Sequence, residues 1–216
     1  MRRSLNARIR GLYAITPDEQ DTAALLSKVR LVLRGGACVL QYRNKLADAS
    51  LRAEQAGALR RLTREFGVPL IVNDDAALAR HVEADGVHLG GEDGSVAEAR
   101  ALLGDGGIIG VSCYNRLPLA QEAVKHGADY VAFGAFFPSG VKPEAVVATL
   151  ELLRQARQEL QVPIVAIGGI TVQNGAQLIE AGADALAVIS AVFAAPDIQD
   201  AARQFADLSY SRNNNS

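Results

Sequence analysis

The sequence predicts a single α/β domain over residues 1–210, folded as one (β/α)8 (TIM) barrel. Three observations predict this fold: a short motif recurs before several apolar runs, amphipathic stretches separate the runs, and eight strand-and-helix units fit into 216 residues. Residues 51–66 are typical of the amphipathic stretches, because Leu59, Leu62 and Phe66 share one helical face. We expect residues 211–216 to form a disordered polar tail.

The recurring motif is a small residue or glycine, then Asp or Cys, then an apolar run. Its copies are Gly36-Ala37-Cys38-Val39-Leu40, Ala84-Asp85-Gly86-Val87-His88, Gly127-Ala128-Asp129-Tyr130-Val131 and Gly182-Ala183-Asp184-Ala185-Leu186. Where glycine leads, it fits the C-terminus of a helix, and the apolar run fits the strand that follows. The motif therefore indicates a repeated connection from helix to strand.

Eight apolar runs fit the strands of the barrel. They cover residues 12–15, 38–42, 70–72, 86–88, 108–111, 130–133, 164–167 and 185–189. A helix is expected after each run, the last over residues 197–208, and this alternation predicts a parallel sheet covered on both faces. A doubly wound open sheet is the alternative, but no Gly-x-Gly-x-x-Gly turn follows the first run.

The composition is that of a soluble protein with a substantial core, since 49% of the residues are hydrophobic and 21% are charged. A net charge of -2 with a pI of about 5.9 argues against nucleic acid or an anionic membrane as partner. Cys38 and Cys113 fit buried free thiols of a cytoplasmic protein. The most apolar segment, residues 185–195, is too short to span a membrane. A homo-oligomer is compatible with these features.

In a (β/α)8 barrel the site lies at the carboxyl ends of the strands, so polar residues after each apolar run are candidates. Gln41 lies near the end of the second run, and Arg43 and Lys45 follow it. If the strand persists, alternation places the three side chains on one face. The planar guanidinium of Arg43 and the ammonium of Lys45 both suit phosphate oxygens. The alternative is a solvated strand end.

Carboxylates follow the third and fourth apolar runs. Asp74 and Asp93 would converge across the barrel mouth beside the phosphate-binding row, and Mg²⁺ usually binds one or two carboxylates plus substrate phosphates. The alternative role is capping of a helix N-terminus, which applies to Asn73, Asp74, Asp75 and Asp93.

Small residues and a loop lysine complete the candidate phosphate sites. Gly168-Gly169 follows the seventh run and Ser190 follows the eighth, and small residues let backbone N–H groups approach an anion. Lys142 lies on a loop after the sixth run, residues 136–143, and could reach an anion; its alternative is a solvated lysine. The mouth thus has room for two anionic groups, a diphosphate and a monophosphate.

Together these motifs resemble the thiamine-phosphate synthase family over residues 12–208. The resemblance rests on Gln41-Tyr42-Arg43-Asn44-Lys45, Val72-Asn73-Asp74, Gly86-Val87-His88-Leu89-Gly90-Gly91-Glu92-Asp93, Gly110-Val111-Ser112, the Phe137-Pro138-Ser139 to Lys142 loop, Ile167-Gly168-Gly169-Ile170 and Val188-Ile189-Ser190. It implies a Mg²⁺-dependent (β/α)8 transferase of thiamine biosynthesis. Such an enzyme joins hydroxymethylpyrimidine diphosphate to thiazole phosphate, or its carboxylated form, and releases diphosphate.

The resemblance also implies a role for each matching residue. The pyrimidine diphosphate would be bound by Gln41, Arg43, Lys45, Asn73, Ser112 and Lys142. The thiazole phosphate would be bound by Ser139, Val141, Gly169, Ile189 and Ser190. Mg²⁺ would be bound by Asp74 and Asp93, and the catalytic groups would be Arg43, Lys45, Lys142 and Ser112. Two positions depart from the family pattern: Val141 stands where threonine is usual, and Gly91 where glutamine is usual.

Three other functions fit parts of the sequence. A thiazole tautomerase would need a histidine base in the mouth, but His81 and His126 lie near helix ends, and His88, inside a strand, is expected to satisfy a backbone group. A phosphate-binding isomerase would need a carboxylate base, for which Glu92 is a weak candidate. A non-catalytic barrel that binds thiamine precursors or a partner is the third alternative. Only the presence of all the charged candidate residues argues against it. Magnesium-dependent diphosphate release would separate these alternatives from a synthase.

Overall fold

The computed structural model describes residues 9–91, 94–138 and 147–210. Within these ranges, eight parallel strands close into a barrel in chain order, with β1 paired to β8. The strands are β1 (Gly11–Ile15), β2 (Val39–Tyr42), β3 (Leu70–Asn73), β4 (Gly86–Leu89), β5 (Ile108–Tyr114), β6 (Tyr130–Phe133), β7 (Ile164–Ile167) and β8 (Ala185–Val188). The predicted strands are confirmed, and the open-sheet alternative is wrong because the sheet has no free edge.

Helices cover the outside of the barrel. They are α1 (Thr22–Arg34), α2 (Ala49–Phe66), α3 (Ala76–His81), α4 (Val96–Leu103), α5 (Leu117–Lys125), α6 (Leu150–Glu159), α7 (Val172–Ala181), α8 (Ser190–Phe193) and α9 (Ile198–Tyr210). Helix α2 begins two residues before the expected start, since Asp48 accepts a hydrogen bond from the Leu51 N–H as N-cap. In the described residues, no helix is both long enough and apolar enough to cross a membrane.

Strand alternation divides the core into two layers. The larger layer lies between the strands and the helices. The smaller one fills the barrel interior and contains Tyr13, Ile71, Tyr130 and Val165. Tyr13 and Tyr130 are 1% and 0% exposed, so two hydroxyl groups lie deep within this inner layer.

The aspartate of the recurring motif fastens the end of the barrel opposite the mouth. Asp129 precedes β6, and its Oδ2 accepts a 2.9 Å hydrogen bond from the N–H of Ile109 in β5. The same oxygen accepts a 2.6 Å bond from Arg100 on α4. The equivalent sets are Asp184 with Ile164 and Arg157, and Asp85 with Leu70 and Arg60. Each set ties two strands to a helix.

The two cysteines are free thiols, as predicted. Cys38 takes the aspartate's position in the first copy of the motif and donates to the carbonyl of Leu12 at 3.1 Å. Cys113 is fully buried in β5. Burial raises the pKa of each thiol to about 12.

Candidate active site at the carboxyl ends of the strands

The ends of β2 and β3 are joined by a side-chain hydrogen bond. Gln41 is 3% exposed, and its Nε2 donates to Oδ1 of Asn73 across 2.7 Å. Two residues that are 32 positions apart in the chain therefore meet at the barrel mouth. The bond also orients both amides, since the Asn73 oxygen is used as an acceptor.

Arg43 and Lys45 reach the mouth by a different route from the one predicted. Strand β2 ends at Tyr42, so strand alternation does not extend to them. The end of β1 holds this segment instead. Thr16 Oγ1 bonds the backbone of Arg43, and Asp18 accepts from the Lys45 N–H at 2.6 Å and from the Arg43 guanidinium at 3.2 Å.

Asp18 contacts two of the candidate site residues, and the sequence reasoning missed it. It is placed between the guanidinium of Arg43 and the backbone of Lys45, and its loss would release both. Its position could have revealed it. Asp18 follows the first apolar run, and polar residues after each apolar run were treated as candidates.

The three polar residues after β3 divide into two roles. Asp75 is the N-cap of α3, because its carboxylate accepts from the Leu78 N–H at 2.8 Å. Asp74 instead has a left-handed backbone with a φ of 64°, and its Oδ2 lies 3.9 Å from the Nζ of Lys45. The capping role thus belongs to Asp75, while Asn73 and Asp74 meet Gln41 and Lys45.

A chain of hydrogen bonds crosses the barrel interior and ends at Ser112. The hydroxyls of Tyr13 and Tyr130 are 2.7 Å apart, and the Tyr130 hydroxyl lies 2.9 Å from Nδ1 of His88. The Nε2 of His88 lies 2.8 Å from Oγ of Ser112. The expectation that His88 would simply satisfy a backbone group is wrong, because both ring nitrogens meet side-chain hydroxyls.

Gly110 makes this arrangement possible. A Cβ at Gly110 would lie 2.0 Å from the ring of Tyr130, which is far inside contact distance. Burial raises the pKa of both tyrosines above the ordinary value, so both hydroxyls keep their protons at neutral pH.

The loop after β4 contacts Tyr114 at the end of β5. The Gly91 N–H donates to the Tyr114 hydroxyl at 3.2 Å, and a Cβ at Gly91 would lie 3.0 Å from that oxygen. Tyr114 is 44% exposed and has a left-handed φ of 54°, which is uncommon for an aromatic residue. Position 91, where glycine replaces the glutamine usual in the family, is therefore in contact with the Tyr114 side chain at the mouth.

The double glycine after β7 packs against the loop after β6. Gly168 and Gly169 have φ values of 102° and 61°. A Cβ at Gly169 would lie 2.6 Å from the carbonyl oxygen of Phe137 and 2.5 Å from that of Pro138. Close backbone packing is thus a sufficient reason for glycine here, beside the expected approach of an anion. Across the mouth, Ile189 is half-buried and Ser190 is exposed at the start of α8.

Several predicted residues lie outside the described ranges. These are Glu92, Asp93, Ser139, Val141, Lys142 and the tail over residues 211–216. The N-cap of α4 is Ser95, whose hydroxyl accepts from the Glu98 N–H in a capping box, so α4 does not need Asp93 as its cap.

The donor set at the mouth is compatible with a hard cation. No group of three or more His, Cys, Asp or Glu side chains is arranged to hold a metal within the described part of the chain. Mg²⁺ needs only one or two protein carboxylates when substrate phosphates supply further oxygens. Asp74 places one carboxylate at the mouth, where it is half-buried.

A closed (β/α)8 barrel with cations, amides and a carboxylate at the carboxyl ends of its strands belongs to the class of barrel proteins that bind ligands at this mouth. The family model described as thiamine monophosphate synthase matches residues 12–192. The chain belongs to this family.

Individual relatives agree with the family match. The chain is 58% identical to a thiamine-phosphate synthase from Methylobacillus flagellatus, over 93% of this chain and 95% of the relative. It is 59% identical to one from Azoarcus sp. strain BH72, over 89% and 94% of the two chains. The solved thiamine phosphate pyrophosphorylase from Pyrococcus furiosus is 37% identical, has a TM-score of 0.85 and covers 96% of this chain and 98% of its own.

Proposed function

We propose that this chain acts as a thiamine-phosphate synthase, a transferase with a single catalytic domain over residues 1–210. It joins hydroxymethylpyrimidine diphosphate to thiazole phosphate and releases diphosphate; with the carboxylated thiazole, CO₂ leaves as well. Nearly full-length identity of 58% to a thiamine-phosphate synthase is the observation that carries this proposal. The contacts of Gln41 with Asn73 and of Lys45 with Asp74 support it from the site itself.

The reaction breaks the bond between the pyrimidine methylene carbon and a diphosphate oxygen, and forms a bond from that carbon to the thiazole nitrogen. The aminopyrimidine can delocalise the positive charge, so no protein nucleophile is needed. The protein's task is to bind the leaving diphosphate, on which negative charge grows. Arg43, Lys45 and Lys142 are the cations proposed for this task, because groups that meet charge developing in the transition state lower the barrier.

Asp74 and Asp93 are the residues that would hold Mg²⁺. When bound, Mg²⁺ would act as a Lewis acid and neutralise negative charge on the diphosphate oxygens. The 3.9 Å separation of the Asp74 carboxylate from the Lys45 ammonium supports a shared role, since both groups could contact one diphosphate.

The phosphate of the thiazole substrate is proposed to bind at the ends of β7 and β8. Gly169, Ile189 and Ser190 would hold it, with Ser139 and Val141 beside them. Because valine has no hydroxyl, a contact at position 141 would use the backbone N–H. Arg43 and Lys45 lie after β2, so the two anionic ends bind at separate parts of the mouth.

The test is to mix both substrates with the purified full chain and measure thiamine phosphate and diphosphate, with Mg²⁺ and with excess chelator. Equal amounts of both products, formed only with Mg²⁺, are expected. Lys142→Ala should lower turnover about 10²–10³-fold, the usual effect of losing one preorganised electrostatic group. The control is Lys125→Ala, an exposed lysine at the end of α5. Absence of product from the unaltered, folded chain would refute the proposal.

A further inference from the structure

The buried chain of hydrogen bonds from Tyr13 to Ser112 can run in either of two directions. Each hydroxyl has one proton, and a neutral imidazole has one N–H and one acceptor nitrogen. In the inward direction Ser112 donates to His88, His88 donates to Tyr130, and Tyr130 donates to Tyr13. In the outward direction Tyr13 donates first and each donor and acceptor is reversed. The distances of 2.7, 2.9 and 2.8 Å fit both directions.

The two directions differ in where a proton is left without an acceptor. Among the residues that the structure describes, Tyr130 is the one hydrogen-bond partner of the Tyr13 hydroxyl, which lies in the apolar barrel interior. The inward direction would leave the Tyr13 proton without an acceptor there, and an unsatisfied buried donor is costly. The outward direction leaves the Ser112 proton over instead, at the half-buried mouth where water or a ligand can accept it.

A doubly protonated His88 meets the same difficulty as the inward direction. Both ring nitrogens would then donate, so Tyr130 would accept from Nδ1. The two tyrosine hydroxyls would have two protons for the single contact between them, and one proton would stay unsatisfied in the core. The outward direction is the arrangement in which each buried proton of the chain has an acceptor.

We propose that this chain of hydrogen bonds runs outward from Tyr13, fixes His88 as the Nε2–H tautomer, and thereby sets the Ser112 hydroxyl as a donor to the pyrimidine substrate. His88 is a positioning residue, because it acts through Ser112. The part that concerns substrate rests on the proposed function, whereas the direction of the chain does not. Gly110 serves the same arrangement by leaving room for the Tyr130 ring.

The direct test is the ¹⁵N NMR spectrum of the His88 ring in the labelled, full-length protein at about pH 8, above the ordinary histidine pKa of about 6.5. The expected pattern is a protonated Nε2 and an unprotonated Nδ1. Protonation at Nδ1, alone or together with Nε2, would overturn the proposal. The spectrum of His88→Gln, which lacks these signals, separates them from those of His81 and His126.

Tyr13→Phe discriminates the directions a second time. In the outward direction Tyr130 still donates to His88 after this change, so the tautomer is expected to stay the same. In the inward direction Tyr130 would lose its acceptor, and the tautomer would switch, which would overturn the proposal. Tyr42→Phe is the matched control for loss of a buried tyrosine hydroxyl. The Tyr42 hydroxyl donates to Gln55 and takes no part in the hydrogen bonds from Tyr13 to Ser112.

Two substitutions at His88 test the positioning role by rescue. A glutamine nitrogen reaches the place of Nε2 and can still donate to Ser112, whereas an asparagine reaches only the place of Nδ1. We expect kcat/KM for the pyrimidine diphosphate to be about tenfold higher in His88→Gln than in His88→Asn, roughly the effect of one hydrogen bond. The reverse order would overturn the role. If the unaltered protein is inactive but His88 is the Nε2–H tautomer, the result would count against the proposed function and not against the direction of the hydrogen bonds.

Discussion

Gln41 at the end of β2 donates a 2.7 Å hydrogen bond to Asn73 at the end of β3. Because Asn73 Oδ1 accepts this bond, the Asn73 amide nitrogen, which can only donate, remains available as a donor to a ligand. Lys45 and Asp74 meet beside this pair. The mouth above β2 and β3 thus offers a neutral donor next to a cation and a carboxylate, a combination suited to a diphosphate and a hard cation.

Asn73→Asp is expected to weaken binding of the pyrimidine diphosphate. The change keeps the acceptor for Gln41 but replaces the donor with a second negative charge next to Asp74, which repels phosphate oxygens. We expect the KM for the pyrimidine diphosphate to rise at least about tenfold, since a like charge at short range costs more than about 1.4 kcal/mol. Initial-rate kinetics measure this change. The KM for thiazole phosphate is the internal control, and an equal rise in both would contradict the assignment.

Asp18→Ala is expected to release the segment that carries Arg43 and Lys45. Asp18 accepts from the Lys45 N–H at 2.6 Å and from the Arg43 guanidinium, and hydrogen bonds to charged groups contribute about 1.5–3 kcal/mol. The expected results are a loss of about tenfold or more in kcat/KM and faster hydrogen exchange of the Lys45 amide. Asp18→Asn keeps a neutral acceptor for that amide and should exchange more slowly than Asp18→Ala. Equal exchange in both variants would argue against this role.

The sequence predicted the barrel because its signals are local. Each apolar run, each amphipathic stretch and each motif glycine falls within a few residues, and the closed order of strands follows from their repetition. The same local reasoning placed Gln41, Asn73 and Asp74 at one end of the barrel, because strand ends in a parallel barrel share one mouth.

The parts that the sequence did not predict depend on contacts between distant residues. Tyr13 and Tyr130 are 117 positions apart, and each by itself is indistinguishable from an ordinary core aromatic. His88 and Ser112 are 24 positions apart, and their pairing depends on the register of β4 against β5. Arg43 and Lys45 were expected to share a face with Gln41 if the strand persisted, but β2 ends at Tyr42, and alternation cannot show where a strand stops.

The free energy of unfolding should decrease as pH rises, because the thiol of Cys113 is buried. Burial raises the pKa of this thiol to about 12, while the unfolded chain has the ordinary value of about 8.5. Between these values the folded state binds more protons than the unfolded state, so the free energy of unfolding decreases as pH rises. One such group contributes up to about 1.4 kcal/mol per pH unit within this window.

Urea unfolding of the chain and of Cys113→Ala at about pH 7 and about pH 10 measures this effect. The stability conferred by the thiol is fully present below about pH 8.5 and is lost above it. We expect the variant to lose less stability over this interval than the unaltered chain, whatever its stability at the lower pH. Identical pH dependence of the two proteins would show that the thiol does not stay protonated in the folded state.

Arg100→Met should destabilise the fold strongly, because it leaves the Asp129 carboxylate buried without its cation. The side chains of Arg100 and Asp129 are 18% and 10% exposed, and the guanidinium also donates to the carbonyls of Gly107 and Gly127. Removing one partner of a buried pair typically costs about 3–5 kcal/mol. Arg203→Met is the matched control, since Arg203 pairs with Asp200 on the exposed face of α9 and surface pairs contribute at most about 1 kcal/mol. Urea midpoints measure both changes, and similar losses in the two variants would mean that the motif aspartates do not fasten the barrel.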